Sequence, residues 1–387
     1  MVNGELQTQG EAGRSATAVA DPADAAVGKS GAAAGAAGGV VRPTGWAVRV
    51  AGGRFSVRVS PRSCLVVGCL LLVTAAVVVL SLTAGQVALS PQEAVQALLG
   101  VGDPRSELIV RRLRLPRILT GLLAGAALGA AGAIFQSLTR NPLGSPDMLG
   151  FTTAAATGAL LQIIVFRGGV AATALSAAGA GMVAAVVMYL LAFRRGVQGS
   201  RLVLIGVGLA ALLTSVNSYL IVRANIIDAM SAQAWLTGSL TGRDWSHVSA
   251  AAPAMAVLLP IALVLGRRLG MLELGDETAT ALGIAVERTR LALVAVAVAL
   301  TAVATAISGP VAFVALAAPA VARRLTRSSA PGIAAAAVTG ALLLTVSDYL
   351  AQRVWEDTPL PVGVVTSAVG GLYLAWLLGR RWRTGAF

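Results

Sequence analysis

The sequence is poor in charged residues. Only 12% of its 387 residues are charged, 56% are hydrophobic, and the mean hydropathy is +0.79. A soluble domain could not cover that much apolar surface, so this composition excludes a soluble protein and predicts an integral membrane protein. The net charge of +13 comes almost entirely from arginine, since Lys29 is the only lysine. In a membrane chain such charge fixes orientation, and nothing else in the sequence indicates nucleic-acid binding.

Cysteine and histidine are nearly absent. Cys64 and Cys69 are five positions apart, about 140° on a helix, which is a poor geometry for a disulfide. His247 is the sole histidine, and we interpret it as a polar residue at the membrane interface. No HExxH or GxSxG motif and no metal-ligand cluster occurs, so the sequence predicts neither an enzyme nor a metal site. Carboxylates are almost missing from the apolar segments, which argues against ion-coupled transport.

Residues 1–60 differ from the rest in being a low-complexity segment rich in alanine and glycine. Such a segment cannot bury enough apolar surface to offset its ordering entropy, so we predict a disordered cytoplasmic tail. Residues 61–387 then form one membrane domain.

The membrane domain contains about ten apolar segments that could cross a bilayer, which needs about 20 residues per helix. The eighth is short and could belong to a broken or tilted helix. The fold class predicted is therefore an all-α integral membrane protein with about ten transmembrane helices. We expect an inverted five-span repeat, since two sets of five spans, an odd number, would have opposite orientations in the membrane. The predicted spans are 64–84, 115–138, 148–166, 170–193, 202–222, 248–266, 291–309, 311–322, 332–350 and 361–379.

The charged residues between these spans predict the orientation. If the tail is inside, the inner segments carry 21 of the 30 lysines and arginines, which places both termini in the cytoplasm. Five of the nine outer arginines then cluster within residues 105–117, against the rule. This cluster is either a topology signal outvoted by the rest of the chain, or a positive docking surface for an acidic extracellular partner.

A short outer helix precedes this cluster. Ser90 has the pattern of an N-cap, with Pro91 at the first helical position, Glu93 three residues after the cap and Gly100 as terminator. We expect this helix to lie on the outer leaflet.

Glycines recur at four-residue spacing in the second span, at Gly121, Gly125 and Gly129, with Gly132 beyond. This spacing is typical of helices whose backbones pack closely.

The longest inner loop, 266–290, is too polar to span. Its sequence DETATAL predicts a short helix with Asp276 near the N-terminus and Gly283 as terminator. The loop is either a simple connector or a structured element that a cytoplasmic protein grips.

Seven sequence blocks in the same order resemble the iron–siderophore and vitamin B12 permease subunits of ABC importers, over about 64–380. Within that family, two blocks look closest to the G-type subunit of the ferric-enterobactin permease: GAIFQSLTRNPLGSPD and GDETATALGIAVERTR. The blocks are RLRLPR (112–117), GAIFQSLTRNPLGSPDMLGF (132–151), SRLVLIGVGLA (200–210), AWLTGSLTGRDW (234–245), LELGDETATALGIAVERTR (272–290), ISGPVAFVALAAPAVARR (307–324) and LPVGVVTSAVGGLYL (360–374).

The resemblance implies roles for particular residues. It implies that Arg114 and Arg117 receive acidic residues of a substrate-binding protein. The further outer arginine of many members aligns with Gln352, and Arg353 follows one residue later as the nearest candidate. The residues implied to form the cytoplasmic gate are Asn141, Leu143, Gly199 and Ser200. Those implied to couple to the ATPase are Leu274, Gly275, Asp276, Glu277, Thr278, Ala279, Leu282 and Gly283.

The resemblance also implies the partners and the cargo. The chain is expected to be a non-enzymatic transport subunit in the bacterial cytoplasmic membrane, binding no cofactor itself. Its partners would be a second, different permease subunit, two ATP-binding subunits that hold ATP and Mg²⁺, an extracellular or periplasmic siderophore-binding protein, and membrane lipid. The predicted cargo is a ferric siderophore of the catecholate type. Cobalamin or haem uptake is an alternative, and a non-transporting membrane scaffold or sensor is an alternative of another class.

Overall fold

The computed structural model describes residues 46–50, 55–83, 85, 87–192, 199–328, 331–354 and 360–383. Most of the predicted disordered tail, residues 1–45, lies outside this part of the chain. The described part is helical apart from one two-stranded hairpin. Its helices are α1 (Pro61–Thr83), α2 (Pro91–Leu99), α3 (Pro104–Leu108), α4 (Leu115–Thr139), α5 (Phe151–Leu160), α6 (Val170–Ala192), α7 (Gly199–Arg223), α8 (Ile226–Leu236), α9 (Trp245–Glu273), α10 (Asp276–Ala281), α11 (Val286–Ser308), α12 (Val314–Thr326), α13 (Ile333–Ala351) and α14 (Val362–Arg383).

The predicted all-α membrane fold is confirmed. Within the described ranges, seven helices are long and apolar enough to cross a membrane, among them one continuous helix from Pro104 to Thr139. The remaining predicted spans coincide with α5, α12 and α14; the apolar part of α14 is the shorter stretch Val362–Trp376. Each of the ten predicted spans therefore has a helix at its position, and the eighth, α12, is short as its sequence indicates.

Helix α4 is the centre of the packed domain. Most of its residues are buried, and it packs chiefly against α13 along its length. A methyl group added at Gly125 would collide with the carbonyl of Gly340, and one at Gly129 would collide with the carbonyl of Ala336. Gly132 approaches the Ala315 carbonyl of α12 in the same way. The predicted glycine stripe is thus the surface that lets α13 and α12 approach the α4 backbone.

The α1–α2 region shows the predicted cap. The Ser90 hydroxyl accepts from the Glu93 amide at 3.2 Å, and the Ser90 amide donates to the Glu93 carboxylate at 2.8 Å. Gly100 ends α2 in the left-handed conformation, with φ of 79°. These contacts form the reciprocal capping box that the sequence predicts.

A β-hairpin lies inside the segment that composition predicts to be disordered. Strands β1 (Trp46–Val50) and β2 (Phe55–Val59) pair in antiparallel register, with Trp46 opposite Val59. In both segments apolar residues alternate with Ala, Ser or Arg, the period-two pattern of a strand, and Gly52–Gly53 separates them. The average composition of residues 1–60 conceals this short pattern.

The first helical span contains a π-helical turn, Ile109–Arg114, between α3 and α4. Pro116 follows it after Leu115 and has no amide hydrogen to donate to the preceding turn. The wider i→i+5 bonding is seen in the Leu115 amide, which donates to the Val110 carbonyl. A second π-helical turn, Leu161–Val165, extends α5.

Helix α4 runs between two polar ends of the domain. At one end lie α2, α3 and the loop before α9, which meet where the Trp245 indole donates to the Arg111 carbonyl at 2.9 Å. At the other end lies α10, where Arg140 after α4 donates to the Leu272 carbonyl at 3.0 Å. We call these the α2 end and the α10 end.

Candidate functional site

Arg114 lies at the α2 end, where its guanidinium bonds to backbone. Its Nη1 donates to the Leu82 carbonyl at 2.5 Å, and its Nη2 donates to the Val87 carbonyl. The first carbonyl belongs to the last turn of α1, so Arg114 satisfies an acceptor that the helix end leaves free. Arg114 is only partly exposed, and these bonds tie the end of α1 to the start of α4.

Arg117 forms a buried ion pair with Asp348 of α13. The Arg117 Nη2 lies 2.8 Å from the Asp348 Oδ1, and the Arg117 Nε donates to Oδ2 at 3.0 Å, so the contact is bidentate. The Arg117 side chain is 17% exposed and that of Asp348 only 5%. The Gln352 amide donates to the same carboxylate at 2.9 Å. This network joins α4 to α13 on the side of their glycine contact.

The exposed positive charge at the α2 end comes from other members of the arginine cluster. Arg105 and Arg112 are exposed, and neither guanidinium has an ion pair within the described residues. Arg111 pairs with Glu107 at 2.5 Å and donates to the Leu98 carbonyl at 3.3 Å. Arg111, Arg112 and Glu107 line a groove of about 630 Å³.

Trp245 closes one side of this groove. In the π-helical turn the Arg111 carbonyl would accept from the amide at position 116, which is proline. The Trp245 indole supplies that donor instead, at 2.9 Å. Arg353, the third predicted docking residue, is exposed and lies over the Tyr349 ring at 5.3 Å. Trp245 thus satisfies the Arg111 carbonyl that Pro116, 129 positions earlier in the sequence than Trp245, cannot bond.

His247 lies in a network that its isolation in the sequence does not suggest. Its Nδ1 is 2.8 Å from the Asp244 carboxylate and its Nε2 is 2.9 Å from the Arg243 Nη1. The His247 ring therefore bridges the Arg243 guanidinium and the Asp244 carboxylate. Hydrogen bonds from Ser246 and then His247 lower the pKa of Asp244 to about 2. Asp244 is therefore ionised at neutral pH and caps α9.

At the α10 end, the predicted coupling residues form the short helix and its flanks. Arg290 of α11 donates to both Asp276 carboxylate oxygens, at 3.0 and 3.1 Å. Arg290 also bonds Glu287 at 2.9 Å. Gly275 and Gly283 bracket the helix with φ of 112° and 79°, a region that favours glycine. The helix begins at Asp276, as the sequence predicts, and Arg290 holds its N-terminus to α11.

The rest of the predicted coupling segment faces outward. Leu274 is 65% exposed and Leu282 is 57% exposed, while Glu277 and Thr278 are also exposed. Ala279 is fully buried and provides the inner contact. Two exposed leucines beside charged groups form a small, rigidly held apolar surface.

The predicted gate residues lie on two different elements. The Asn141 carboxamide accepts from the Leu143 amide at 2.9 Å, a turn that ends α4. Leu143 borders a cavity of about 250 Å³ together with Arg323 and Tyr373. Gly199 and Ser200 are the first residues of α7. The structure brings Asn141 and Leu143 together and places Gly199 and Ser200 next to each other on another helix.

Two further arginines line this cavity, and local sequence patterns do not predict their contacts. Arg323 donates to the Gln136 side chain, and Gln136 in turn donates to the Leu316 carbonyl at 3.0 Å. The Arg324 guanidinium lies 4.8 Å from the centre of the Trp376 ring, within cation–π range. These contacts join α12 to α4 and to α14, between residues far apart in the sequence.

The sequence of this chain matches the model of a known protein family. The model of the FecCD transport family matches residues 71–380. The chain belongs to the FecCD transport family. The match begins within α1, ends within α14, and contains the α10 segment.

Known relatives cover nearly the whole domain of this FecCD-family chain. The ferric enterobactin transport system permease protein FepG of Escherichia coli is 46% identical over 316 residues, which are 81% of this chain and 96% of FepG. The Fe(3+)-citrate import system permease protein YfmE of Bacillus subtilis is 36% identical, over 78% of this chain and 90% of the relative.

A solved structure has the same fold. A metal-chelate type ABC transporter in an inward-facing conformation aligns with a TM-score of 0.73 and 26% sequence identity, covering 82% of this chain and 99% of that chain.

Proposed function

We propose that this chain is the permease subunit of an ATP-driven importer that carries a ferric siderophore of the catecholate type across the bacterial cytoplasmic membrane. The observation that carries the proposal is the 46% identity to FepG over 96% of that protein, whose name gives ferric enterobactin as cargo. Relatives named for ferric citrate and hydroxamates share the family, so iron chelates are the common cargo class. The chain performs no chemistry on its cargo, and ATP hydrolysis belongs to a separate chain.

We place the α10 end in the cytoplasm, with both termini on that side. The excess of inner arginines supports this orientation. The α10 segment then presents its flanking residues Leu274 and Leu282 to one of two ATP-binding subunits, which hold the ATP and Mg²⁺. Because Arg290 and Arg140 connect the α10 region to α11 and α4, a push on α10 reaches helices of the packed core. This connection is the physical basis of the coupling role.

We place the siderophore-binding protein at the α2 end. Arg105 and Arg112 are exposed members of the arginine cluster, and Arg353 follows the end of α13; these arginines would meet carboxylates of that protein. Arg114 and Arg117, which the family resemblance assigns to docking, already bond within the chain. Their role in docking is then to hold the cluster in position, by fixing α1 and α13 against α4.

We propose a second, different permease subunit as neighbour. The apolar window of the span Val203–Arg223 is only 11% buried within this chain, and Leu204, Leu212 and Val222 are exposed on it. A partner subunit or lipid must cover such a surface. The gate residues Asn141, Leu143, Gly199 and Ser200 would close the cytoplasmic side of a path between the two subunits.

Uptake by matched deletion strains tests the cargo. Strains with and without this chain are given radiolabelled ferric catecholate, ferric hydroxamate, haem or cobalamin in separate assays. The proposal expects loss of ferric catecholate uptake only. Selective loss of cobalamin or haem uptake would show that the lost compound, and not a ferric siderophore, is the cargo. Unchanged uptake of all four compounds would favour a scaffold or sensor.

A further inference from the structure

A polar cavity of about 410 Å³ lies at the α2 end, away from the arginine cluster. Its walls come from the segment before α6, from α8 and from the loop before α9. The charged side chains that line it are Arg167, Asp228 and Arg243, and Trp235 adds an aromatic wall. This cavity has no place in the docking, gate or coupling surfaces described above.

The cavity continues into an apolar groove. A space of about 560 Å³ lies between α6, α9 and α11, and Val170 and Ala306 line both spaces. Small side chains such as Ala174 and Ala250 leave the room in it. Because α6 and α9 are membrane spans that are only 22% buried in their apolar windows, the groove opens toward the bilayer.

Positive charge stands where the two spaces meet. Arg243 is held by its bonds to the Ser239 carbonyl at 3.2 Å and to His247, which lines the apolar groove. The Arg167 side chain is 72% exposed and reaches Asp228 only at 3.6 Å, so most of its donors are free for a ligand. The other carboxylate nearby, Asp244, faces the far side of the His247 ring and the start of α9. The cavity lining itself thus has two guanidiniums and one carboxylate.

We propose that the two spaces together bind one anionic glycerophospholipid, with its phosphate between Arg167 and Arg243 and an acyl chain along the groove. Guanidinium donors match phosphate oxygens in geometry and charge. The groove offers the chain an apolar wall at membrane depth, and the membrane supplies the ligand at high local concentration. In the orientation proposed above this is an outer-leaflet site, and lipid binding there does not depend on which cargo is carried.

Lipid retention tests the head-group contacts. The complex of this chain with its partner subunits is purified in mild detergent, and tightly held phosphatidylglycerol is counted by native mass spectrometry. Arg167→Gln removes a charged hydrogen-bond donor, so we expect it to weaken retention of the lipid at least about tenfold. The double variant Arg167→Gln with Arg243→Gln should weaken retention further. Arg223→Gln removes one exposed arginine at the same end outside the site and should change nothing. Equal retention by wild type and Arg167→Gln would overturn the proposal.

A second variant tests the groove and separates other occupants. Ala174→Trp fills the groove and should also release phosphatidylglycerol, whereas Leu190→Trp on the opposite part of α6 should not. If Ala174→Trp instead splits the two permease subunits and leaves the lipid count unchanged, the groove is a subunit interface and the proposal is wrong. If glycerol phosphate displaces the bound lipid as effectively as added phosphatidylglycerol does, the site recognises the phosphate alone and no acyl chain. That result would also contradict the proposal.

Discussion

At the residue scale, the ion pair between Arg117 and Asp348 is the contact on which the α2 end most depends. Both side chains are largely buried, and Gln352 adds a third partner. A buried charge that keeps its partner is tolerated, but one left alone is strongly unfavourable. Because Arg117 and Asp348 neutralise each other, both charged side chains can be accommodated between α4 and α13, whose backbones are in close contact at glycines.

Removing one member of this pair should therefore destabilise the protein. We expect Asp348→Ala to lower the free energy of unfolding by about 3 kcal/mol, since it leaves Arg117 unpaired in a poorly hydrated position. The double variant Arg117→Met with Asp348→Leu should recover most of that loss. Thermal unfolding of the detergent-purified complex measures both. A double variant that is as unstable as Asp348→Ala, or less stable, would show that the two side chains are not energetically coupled.

The free arginines give a second residue-scale prediction. Arg105→Glu with Arg112→Glu should weaken capture of the siderophore-binding protein at low salt, because two attractive charges become repulsive. Thermal stability should hardly change, since both side chains are exposed and unpaired within the described residues. Arg114→Glu with Arg117→Glu should instead reduce the yield of folded protein. Binding-protein affinity that survives the Arg105/Arg112 change would place the docking surface elsewhere.

At the element scale, α10 is a short helix whose stability depends on few bonds. The Ala279 amide donates to the Gly275 carbonyl at 2.9 Å, and the Ala279 side chain is fully buried. Ala279→Pro removes this donor and costs about 3 kcal/mol within a helix, while Ala279→Ser keeps it. We expect Ala279→Pro to abolish transport and to release the ATPase subunits, with binding-protein capture intact. Normal transport by this variant would mean that residues 274–283 are only a connector.

The packing of α4 on α13 gives a matched pair of glycine variants. Gly129→Ala places a methyl group against the Ala336 carbonyl, so the helices must separate, and overpacking of this kind typically costs about 1–3 kcal/mol. Gly179→Ala on α6 meets no atom within 4 Å and should be neutral or slightly stabilising. Comparison of the two melting temperatures measures the difference. Equal temperatures would contradict the close approach of α4 and α13.

Local sequence patterns were sufficient for some elements and not for others. The Ser90–Glu93 box and the Asp276–Gly283 helix could be predicted because caps act over three or four residues. The Arg117–Asp348 pair joins positions 231 apart, so only the folded chain brings its members together. The contact of Trp245 with the Arg111 carbonyl is equally nonlocal, although Pro116 is a local sign that some carbonyl there needs a donor. The hairpin at 46–59 was missed because composition was averaged over a longer segment.

At the scale of the whole molecule, the domain has a rigid centre and two specialised ends. Helices α4, α11 and α13 are largely buried within the chain, whereas the apolar stretches of α1, α7 and α9 are largely exposed. Contacts at the α10 end reach α4 and α11, and contacts at the α2 end reach α1, α4 and α13. Since α4 takes part in contacts at both ends, we propose it as the element that would couple docking to ATP hydrolysis.

Transport by the reconstituted complex tests the central claim most directly. The chain, its second permease subunit and the ATPases are placed in proteoliposomes, and uptake of radiolabelled ferric catecholate is measured with and without ATP and the loaded binding protein. The account predicts uptake only when both are present, with none from ferric catecholate alone. Uptake that needs no ATP, or its absence from an intact complex that binds the loaded protein, would contradict the claim that this chain is the permease of a ferric-siderophore importer.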